Sequence, residues 1–147
     1  MTDELTEMEK RLQTLEDVES IKKLKARYWY CVDNKEWDGI AACYAEDAEF
    51  ECPRLGKLEG GRIIAGVLRK VMKNIQTAHH GHCPEIEITG EGTATGRWTF
   101  NDYVKTKDNG FFRGYGYYKD EYIRVDGSWK IRSSRIRYLI EEDALTR

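Results

Sequence analysis

The sequence has no run approaching 18 consecutive apolar residues, and its first residues are acidic and polar rather than basic and then apolar. A membrane-spanning helix needs about 20 apolar residues, and a secretory signal needs a positive segment followed by an apolar one. Since neither pattern is present, we expect a soluble, cytoplasmic protein with no membrane partner.

Excess charge of one sign is also missing. The chain has 24 Lys and Arg against 26 Asp and Glu, a formal net charge of -2, and no block of five or more like charges. Nucleic-acid-binding domains usually carry a basic patch or stripe. The balance therefore argues against a nucleic-acid partner and favours a small-molecule one.

The four cysteines show no CxxC pair, the spacing typical of many zinc and redox sites. A chain of 147 residues is long enough to bury a sizeable core without disulfide bonds. We therefore expect one domain spanning residues 1–147, with reduced thiols at Cys31, Cys43, Cys52 and Cys83.

Apolar residues recur at three- and four-residue steps from Leu5 to Tyr28, which is the spacing of one helical face. Asp17 is a residue type that caps helices. We therefore predict a short helical arm over residues 1–14, suited to packing on a neighbouring subunit, followed by a longer helix through Cys31.

Beyond the first helix, two shorter helical patterns precede a series of extended segments. Helices are predicted over 35–44 and, after the Gly60-Gly61 pair, from Ile63 to about Lys73 or Asn74, and Gly-containing turns separate the later strands. The predicted fold class is α+β: a cone-shaped α+β barrel in which N-terminal helices pack on a strongly curved mixed or antiparallel sheet. The predicted strands are 48–52, 76–88, 94–105, 111–125 and 129–140.

All three histidines lie within four positions, at His79, His80 and His82. Imidazole can take up and release a proton near neutral pH. On a strand, His80 and His82 share one face and His79 points to the other, while Cys83 points away from the His80 and His82 pair. This alternation argues against a zinc site, so no metal is predicted. Histidines without a chemical role remain an alternative.

Two aspartates occupy positions that suit a pocket. Asp33 ends an apolar helix, where it could orient an imidazole or simply terminate the helix. Asp102 shares a strand face with Trp98 and Phe100, where an ionised carboxylate is unfavourable unless it is paired, protonated or bound to a ligand. Exposure of Asp102 at a strand end is the alternative.

The aromatic residues are numerous, and most should belong to the core or to interfaces. A tyrosine inside the pocket could donate a hydrogen bond to a developing oxyanion. Tyr28 is favoured over Tyr30 because Tyr28 continues the apolar stripe of the helix. The candidate substrate-binding residues are Tyr30, Trp98, Phe100, Asn101, Tyr115, Arg137 and Tyr138.

Four segments, LEDVESIKKL (15–24), HHGHCPEI (79–86), ATGRW (94–98) and DGSWKI (126–131), resemble in this order the SnoaL-like domain of the nuclear-transport-factor-2-like superfamily. Within it, the chain is most similar to bile acid 7α-dehydratases, and more distantly to hexachlorocyclohexane dehydrochlorinases and scytalone dehydratases. The resemblance implies a lyase that needs no cofactor and that assembles as a homo-oligomer, with a trimer favoured and a dimer possible.

The same resemblance implies roles for individual residues. The dehydratases' catalytic tyrosine, helix-end aspartate, histidine and strand aspartate correspond to Tyr28, Asp33, His79 and Asp102. Their arginine on the last strand corresponds most nearly to Tyr138, with Arg137 one position away.

The resulting hypothesis is an elimination on a small hydrophobic, aromatic or steroid-like molecule. His79, oriented by Asp33, would remove a proton from carbon while Tyr28 or Asp102 assists the leaving group. The same base could instead serve an isomerase or cyclase, or release formaldehyde or carbon dioxide. A module that binds a small ligand without reaction is the alternative of a different class.

Overall fold

The chain forms three helices and six strands in a computed structural model that describes residues 2–144. The predicted helices and the later strands are present, with strand ends that differ by a few residues. In chain order the elements are α1 (Asp3–Asn34), α2 (Trp37–Cys43), β1 (Tyr44–Cys52), β2 (Gly56–Glu59), α3 (Gly61–Met72), β3 (Gln76–Gly90), β4 (Thr93–Lys105), β5 (Phe111–Val125) and β6 (Ser128–Ala144).

The first helix is continuous, so the predicted division into an arm over residues 1–14 and a second helix is wrong within the described residues. Asp17 does not cap a helix. Its carboxylate accepts hydrogen bonds from Nε1 of Trp129 at 3.0 Å, from Nε2 of Gln13 at 3.1 Å and from Arg124. The side chain that was predicted to cap a helix therefore makes tertiary contacts instead. Neither this long helix nor another in the described chain is apolar enough to cross a membrane.

The six strands form one mixed sheet in the order β2-β1-β6-β5-β4-β3. Strands β3 to β6 form the predicted antiparallel meander, while β1 pairs with β6 in parallel. Strand β2 was not predicted, because its four residues are mostly exposed and have no apolar alternation. The predicted α+β fold class, with helices packed on a cone-like mixed sheet, is confirmed, and among residues 2–144 the sheet is not closed into a barrel.

The turn between β5 and β6 follows the sequence prediction. Asp126 and Gly127 both have positive φ values, 49° and 79°, as a two-residue hairpin of this type requires. The long β5 and β6 strands are therefore paired in a defined register from Val125 opposite Ser128.

The core lies between the helices and the concave face of the sheet. Gly81 on β3 is essential to this packing, because a Cβ atom there would overlap the ring of Trp29 on α1. The helix and the strand can therefore approach closely. Their approach brings the C-terminal end of α1 against the first half of β3.

Candidate active site

Asp33 at the end of α1 and His79 on β3 meet inside the cone. Oδ1 of Asp33 lies 2.7 Å from Nδ1 of His79, and the backbone N–H of His79 donates to Oδ2 of Asp33 at 2.9 Å. The side chains of His79 and Asp33 are only 7% and 23% exposed. Both carboxylate oxygens thus contact the same residue, which fixes the orientation of the carboxylate.

This contact determines which imidazole nitrogen is free. A carboxylate at Nδ1 accepts a hydrogen bond, so Nδ1 carries the proton and the neutral ring keeps its lone pair on Nε2. Nε2 lies 4.0 Å from Oδ2 of Asp102. The free base of the imidazole therefore faces a second carboxyl group across a short gap.

Asp102 lies directly opposite His79 in the β3–β4 register. It is only 5% exposed, and the hydroxyl of Tyr138 donates to its Oδ2 at 2.8 Å. Its Oδ1 is buried and has no hydrogen-bond partner among residues 2–144. Burial raises the pKa of Asp102, and the hydrogen bond from Tyr138 offsets only part of that effect. A carboxyl group in this environment is suited to holding and releasing a proton.

Gly114 on β5 allows Tyr138 to reach Asp102. It pairs with Asp102 in the sheet, and a Cβ atom at this position would overlap the Tyr138 ring and lie 2.6 Å from Oδ1 of Asp102. The missing side chain leaves room for the Tyr138 ring to lie across the strand. We refer to Asp33, His79, Asp102 and Tyr138 as the acid–base cluster.

Two polar residues support Asp33 beside His79. The Thr77 hydroxyl donates to Oδ1 of Asp33 at 2.9 Å, and the Lys35 ammonium donates to the Thr77 hydroxyl at 2.9 Å. Burial acts to raise the pKa of Asp33, but the hydrogen bonds from His79 and Thr77 outweigh burial and lower the pKa. The carboxylate is therefore held in its ionised form.

The SnoaL-like domain model matches residues 13–135, most of the chain. The chain belongs to the SnoaL-like domain family. Among solved structures it resembles a type 2 hexachlorocyclohexane dehydrochlorinase, with a TM-score of 0.84, 20% identity and coverage of 92% of this chain and 93% of that one.

Two further structures share the fold. A provisionally named scytalone dehydratase from Novosphingobium aromaticivorans gives a TM-score of 0.82 at 24% identity, covering 90% of this chain and 91% of that one. A protein of unknown function from Mycobacterium tuberculosis gives 0.76 at 25% identity, covering 86% and 73%. Two of these three structures are thus named for a dehydrochlorinase and a dehydratase.

In this SnoaL-like domain, Phe100 and Trp98 lie on the inner face of the sheet, as their alternation with Asn101 predicts. The ring of Phe100 lies 5.5 Å from that of Tyr138, next to the acid–base cluster. Trp98 lies deeper, with its Nε1 donating to the Tyr122 hydroxyl at 3.0 Å. Phe100 is thus the candidate that borders the cluster, while Trp98 belongs to the core behind it.

Tyr28 points inward, as predicted, but into the core. Its ring packs edge-on against Tyr44 at 5.6 Å and lies 5.1 Å from Nζ of Lys25, and burial raises its pKa. Within residues 2–144, the hydrogen bonds of the acid–base cluster come from other residues, Thr77 and Tyr138 among them. The structure therefore does not place Tyr28 as a proton donor to the dyad.

Three candidate substrate-binding residues lie on the outer face of the sheet, which corrects their assignment. Asn101 contacts Nε2 of His82 at 2.9 Å, Tyr115 is 42% exposed, and Arg137 is exposed beside Tyr117. Each of the three is one residue from a position on the inner face, and successive strand residues point to opposite faces. The predicted opposition of His79 to His80 and His82 is confirmed by the same geometry.

Tyr30 is the fourth such correction. It is 59% exposed on α1, whereas Tyr28 on the opposite side of the helix is buried. Two residues along a helix correspond to a rotation of about 200°. This rotation separates the two tyrosines, so Tyr30 does not reach the inner face.

Arg54, in the turn between β1 and β2, was not predicted as a site residue. Its guanidinium lies 3.8 Å from the ring centre of Phe112, 3.7 Å from Glu141 and 3.8 Å from Asp143. Phe112 in turn packs against Tyr138 at 5.3 Å. Arg54 therefore covers the end of the cone nearest the acid–base cluster, a role that no periodic pattern in a turn could indicate.

Metal ligands do not converge in the part of the chain that the structure describes. No group of three or more His, Cys, Asp or Glu side chains between residues 2 and 144 is arranged to hold an ion. His80 and His82 instead contact the amide group of Asn101 on the outer face.

Proposed function

We propose that this SnoaL-like domain is a cofactor-independent lyase of the dehydratase type, acting on a small hydrophobic, aromatic or steroid-like molecule. One observation carries the proposal: a buried imidazole has an ionised carboxylate at Nδ1 and a second carboxyl group 4.0 Å from Nε2. This arrangement places a base and an acid side by side, where both can act on neighbouring atoms of one substrate.

The proposed elimination uses each member of the cluster once. Nε2 of His79 takes a proton from a substrate carbon, and the electron pair of that C–H bond forms the C=C bond. Asp33 stabilises the imidazolium that results. The C–O bond breaks as protonated Asp102 gives its proton to the departing oxygen, so that water leaves. Asp102 is then returned to its acid form by the proton held on His79.

The surroundings of the cluster support an apolar or aromatic substrate. Phe100, Phe112 and Tyr138 pack ring against ring beside the cluster, and aromatic side chains favour contact with planar apolar rings. The names of two structural neighbours, a hexachlorocyclohexane dehydrochlorinase and a provisional scytalone dehydratase, point to the same reaction class.

The test is turnover of γ-hexachlorocyclohexane, scytalone and a panel of hydroxysteroids, followed by mass spectrometry. A dehydration removes water from the substrate, whereas an isomerisation leaves its mass unchanged. Asp33→Asn and His79→Ala should each lower kcat/KM by about 10²- to 10⁴-fold. His80→Ala is the matched control, because His80 lies on the outer face, and it should leave the rate unchanged.

Three outcomes would contradict the proposal. Full activity in Asp33→Asn would remove the dyad from the mechanism. Substrate conversion without loss of a leaving group would instead establish an isomerase or a cyclase. Tight binding without any conversion, unaffected by Asp33→Asn, would establish a binding module.

We also propose that the protein is a homo-oligomer, with a trimer favoured over a dimer. The N-terminal part of α1 supports this proposal because its large apolar side chains are exposed at helical spacing, and exposed apolar stripes mark interfaces. Light scattering coupled to size exclusion should give a multiple of the 17.2 kDa chain mass, and a monomer at micromolar concentration would contradict it. The exposed side chains are those of Leu5, Met8, Leu12 and Leu15.

A further inference from the structure

A chain of hydrogen bonds ends at the acid–base cluster and begins at a residue that the proposed reaction does not use. The Lys35 ammonium donates to the Thr77 hydroxyl, and that hydroxyl donates to Oδ1 of Asp33, each at 2.9 Å. The same Oδ1 lies 2.7 Å from Nδ1 of His79. Lys35 is therefore connected to the His79 imidazole through Thr77 and Asp33.

The backbone at Lys35 makes this connection possible. Lys35 follows the last residue of α1 and has a φ of 64°, in the left-handed region. Glycine is the preferred residue at such a helix end, because other side chains are disfavoured there. The left-handed turn directs the Lys35 side chain back towards β3. The backbone conformation at this position favours glycine, so it is the hydrogen bond of the side chain that explains a lysine there.

Lysine at this position also contributes charge in a half-buried setting. Burial lowers the pKa of Lys35, and the negative charge of Asp33 opposes that effect. The ammonium is therefore close enough to act on the carboxylate. The groups facing His79 from the surrounding elements are Asp33 and Lys35 at the end of α1, Thr77 on the same strand, Asp102 on β4 and Tyr138 on β6.

We infer that Lys35 is a positioning residue that acts through Thr77: it holds Oδ1 of Asp33 against Nδ1 of His79 and so keeps the free lone pair on Nε2. Without the donated hydrogen bond, only the two contacts with His79 itself hold the carboxylate, and the Nδ1–H tautomer has a less firmly held acceptor. The imidazole would then present a mixture of tautomers, only one of which has its base directed at the gap beside Asp102. The catalytic consequence rests on the proposed lyase function, but the effect on the tautomer does not.

The test is a ¹⁵N NMR spectrum of the His79 ring in the full-length protein, assigned with His79→Gln. Wild type should show a pyrrole-like Nδ1 and a pyridine-like Nε2. Thr77→Val and Lys35→Gly should move both signals towards the average of the two tautomers. Thr77→Ser and Lys35→Arg retain the donors and should restore the wild-type spectrum.

Lys35→Gly separates positioning from stability. Glycine suits the left-handed backbone, so this variant should unfold at the same or a higher urea concentration than wild type. A changed His79 spectrum in a protein that is no less stable cannot be attributed to partial unfolding. With an active substrate, kcat should fall by about tenfold or more while KM stays the same, since one hydrogen bond to a charged group is lost.

An unchanged His79 spectrum in both Thr77→Val and Lys35→Gly would overturn the inference. So would a change that Lys35→Arg and Thr77→Ser fail to restore. Failure of the proposed function gives a different result, because the tautomer shift would then occur in a protein that converts none of the substrates. The two hypotheses can therefore be rejected independently.

Discussion

Two buried sets of acidic and basic side chains in this domain are similar in composition but differ in how their members are arranged. The core ion pair joins Lys25 of α1 to Asp120 of β5 at 2.7 Å, and both side chains are fully buried. The acid–base cluster joins Asp33, His79 and Asp102 near one end of the cone. The first is a single pair of opposite charges, whereas the second places an imidazole between two carboxyl groups.

The core ion pair is enclosed by its neighbours. Asp120 also accepts hydrogen bonds from the Tyr122 hydroxyl at 2.8 Å and from Ser134. The Lys25 ammonium lies 3.7 Å from the centre of the Tyr118 ring. Burial lowers the pKa of Lys25, and the charge of Asp120 opposes that effect. Such an enclosed pair can stabilise the fold but offers no atom to a substrate.

The acid–base cluster shares one feature with the core ion pair. Oδ1 of Asp102 and Nζ of Lys25 are both buried without a partner at hydrogen-bond geometry in the described part of the chain, which is unfavourable for Asp102 unless a ligand or a proton occupies that oxygen. The comparison shows that neither burial of charge nor an unsatisfied polar atom alone distinguishes structure from function. An imidazole beside two carboxyl groups does, because it can accept and return a proton.

The largest expected effect follows from breaking the core ion pair. Lys25→Met should lower the free energy of unfolding by about 3–5 kcal/mol, because Asp120 is left buried and unpaired. Urea denaturation measures the difference. Lys22→Met, on the exposed part of the same helix, should change stability by less than about 0.5 kcal/mol. Equal effects of the two substitutions would contradict a structural role for the pair.

The next largest effect concerns Gly114, on which the acid–base cluster depends. Gly114→Ala should destabilise the protein by about 1–3 kcal/mol, since the new methyl group forces Tyr138 and Asp102 apart. The measurement is again urea denaturation. Gly66→Ala on α3, where a Cβ atom meets nothing within 4 Å, should raise stability by about 0.5–1 kcal/mol. Unchanged stability in Gly114→Ala would show that the Tyr138 ring can adopt another position at no cost.

A smaller effect is expected from Tyr138→Phe. It removes the hydrogen bond to Asp102 while keeping the ring, so stability should fall by about 1 kcal/mol. If Asp102 is the acid of the proposed reaction, kcat should fall as well. Tyr115→Phe, on the outer face, should change neither quantity. Loss of activity in both variants would show that the effect is not specific to the cluster.

The smallest expected effects are opposite pH dependences of stability for the two carboxyl groups. The pKa of Asp33 is lowered, so its stabilisation is present above its unfolded value of about 3.9 and is lost as pH falls below it. The pKa of Asp102 is raised, so its contribution is complete below about 3.9 and is lost as pH rises through the folded value.

Urea denaturation between pH 3 and pH 7 checks these signs. Relative to wild type, Asp33→Asn should lose less stability towards low pH, and Asp102→Asn should gain stability as pH rises towards neutrality. The same pH dependence in both variants would show that the two carboxyl groups share one environment, against the geometry.

Much of the fold could be predicted because local patterns specify it. The helix over Leu5 to Tyr28, the Asp126-Gly127 hairpin and the long strands follow from spacing and turn chemistry alone. Strand β2 and the early start of β1 at Tyr44 carry no such pattern, because pairing with a neighbour forms them. Asp17 was misassigned for the same reason, since its partners Arg124 and Trp129 are distant in sequence.

For the candidate site, strand alternation separated His79 from His80 and His82, and would also have placed Thr77 beside His79. It was not applied strictly to Asn101, Tyr115 and Arg137, which the structure places on the outer face. Lys35 and Arg54 could not be predicted, because a left-handed helix end and a turn direct their side chains.

The sequence by itself determined the α+β class, the order of elements and which side of each strand faces inward, since these depend on residue periodicity and turn residues. Only the tertiary structure decided that Asp33, 46 positions from His79, touches its ring, that Tyr138 rather than Tyr28 donates to the second carboxyl group, and that Lys25 is enclosed. Those contacts depend on how closely α1 packs against β3 and on the gap left by Gly114, and such distances arise only when the elements are packed together.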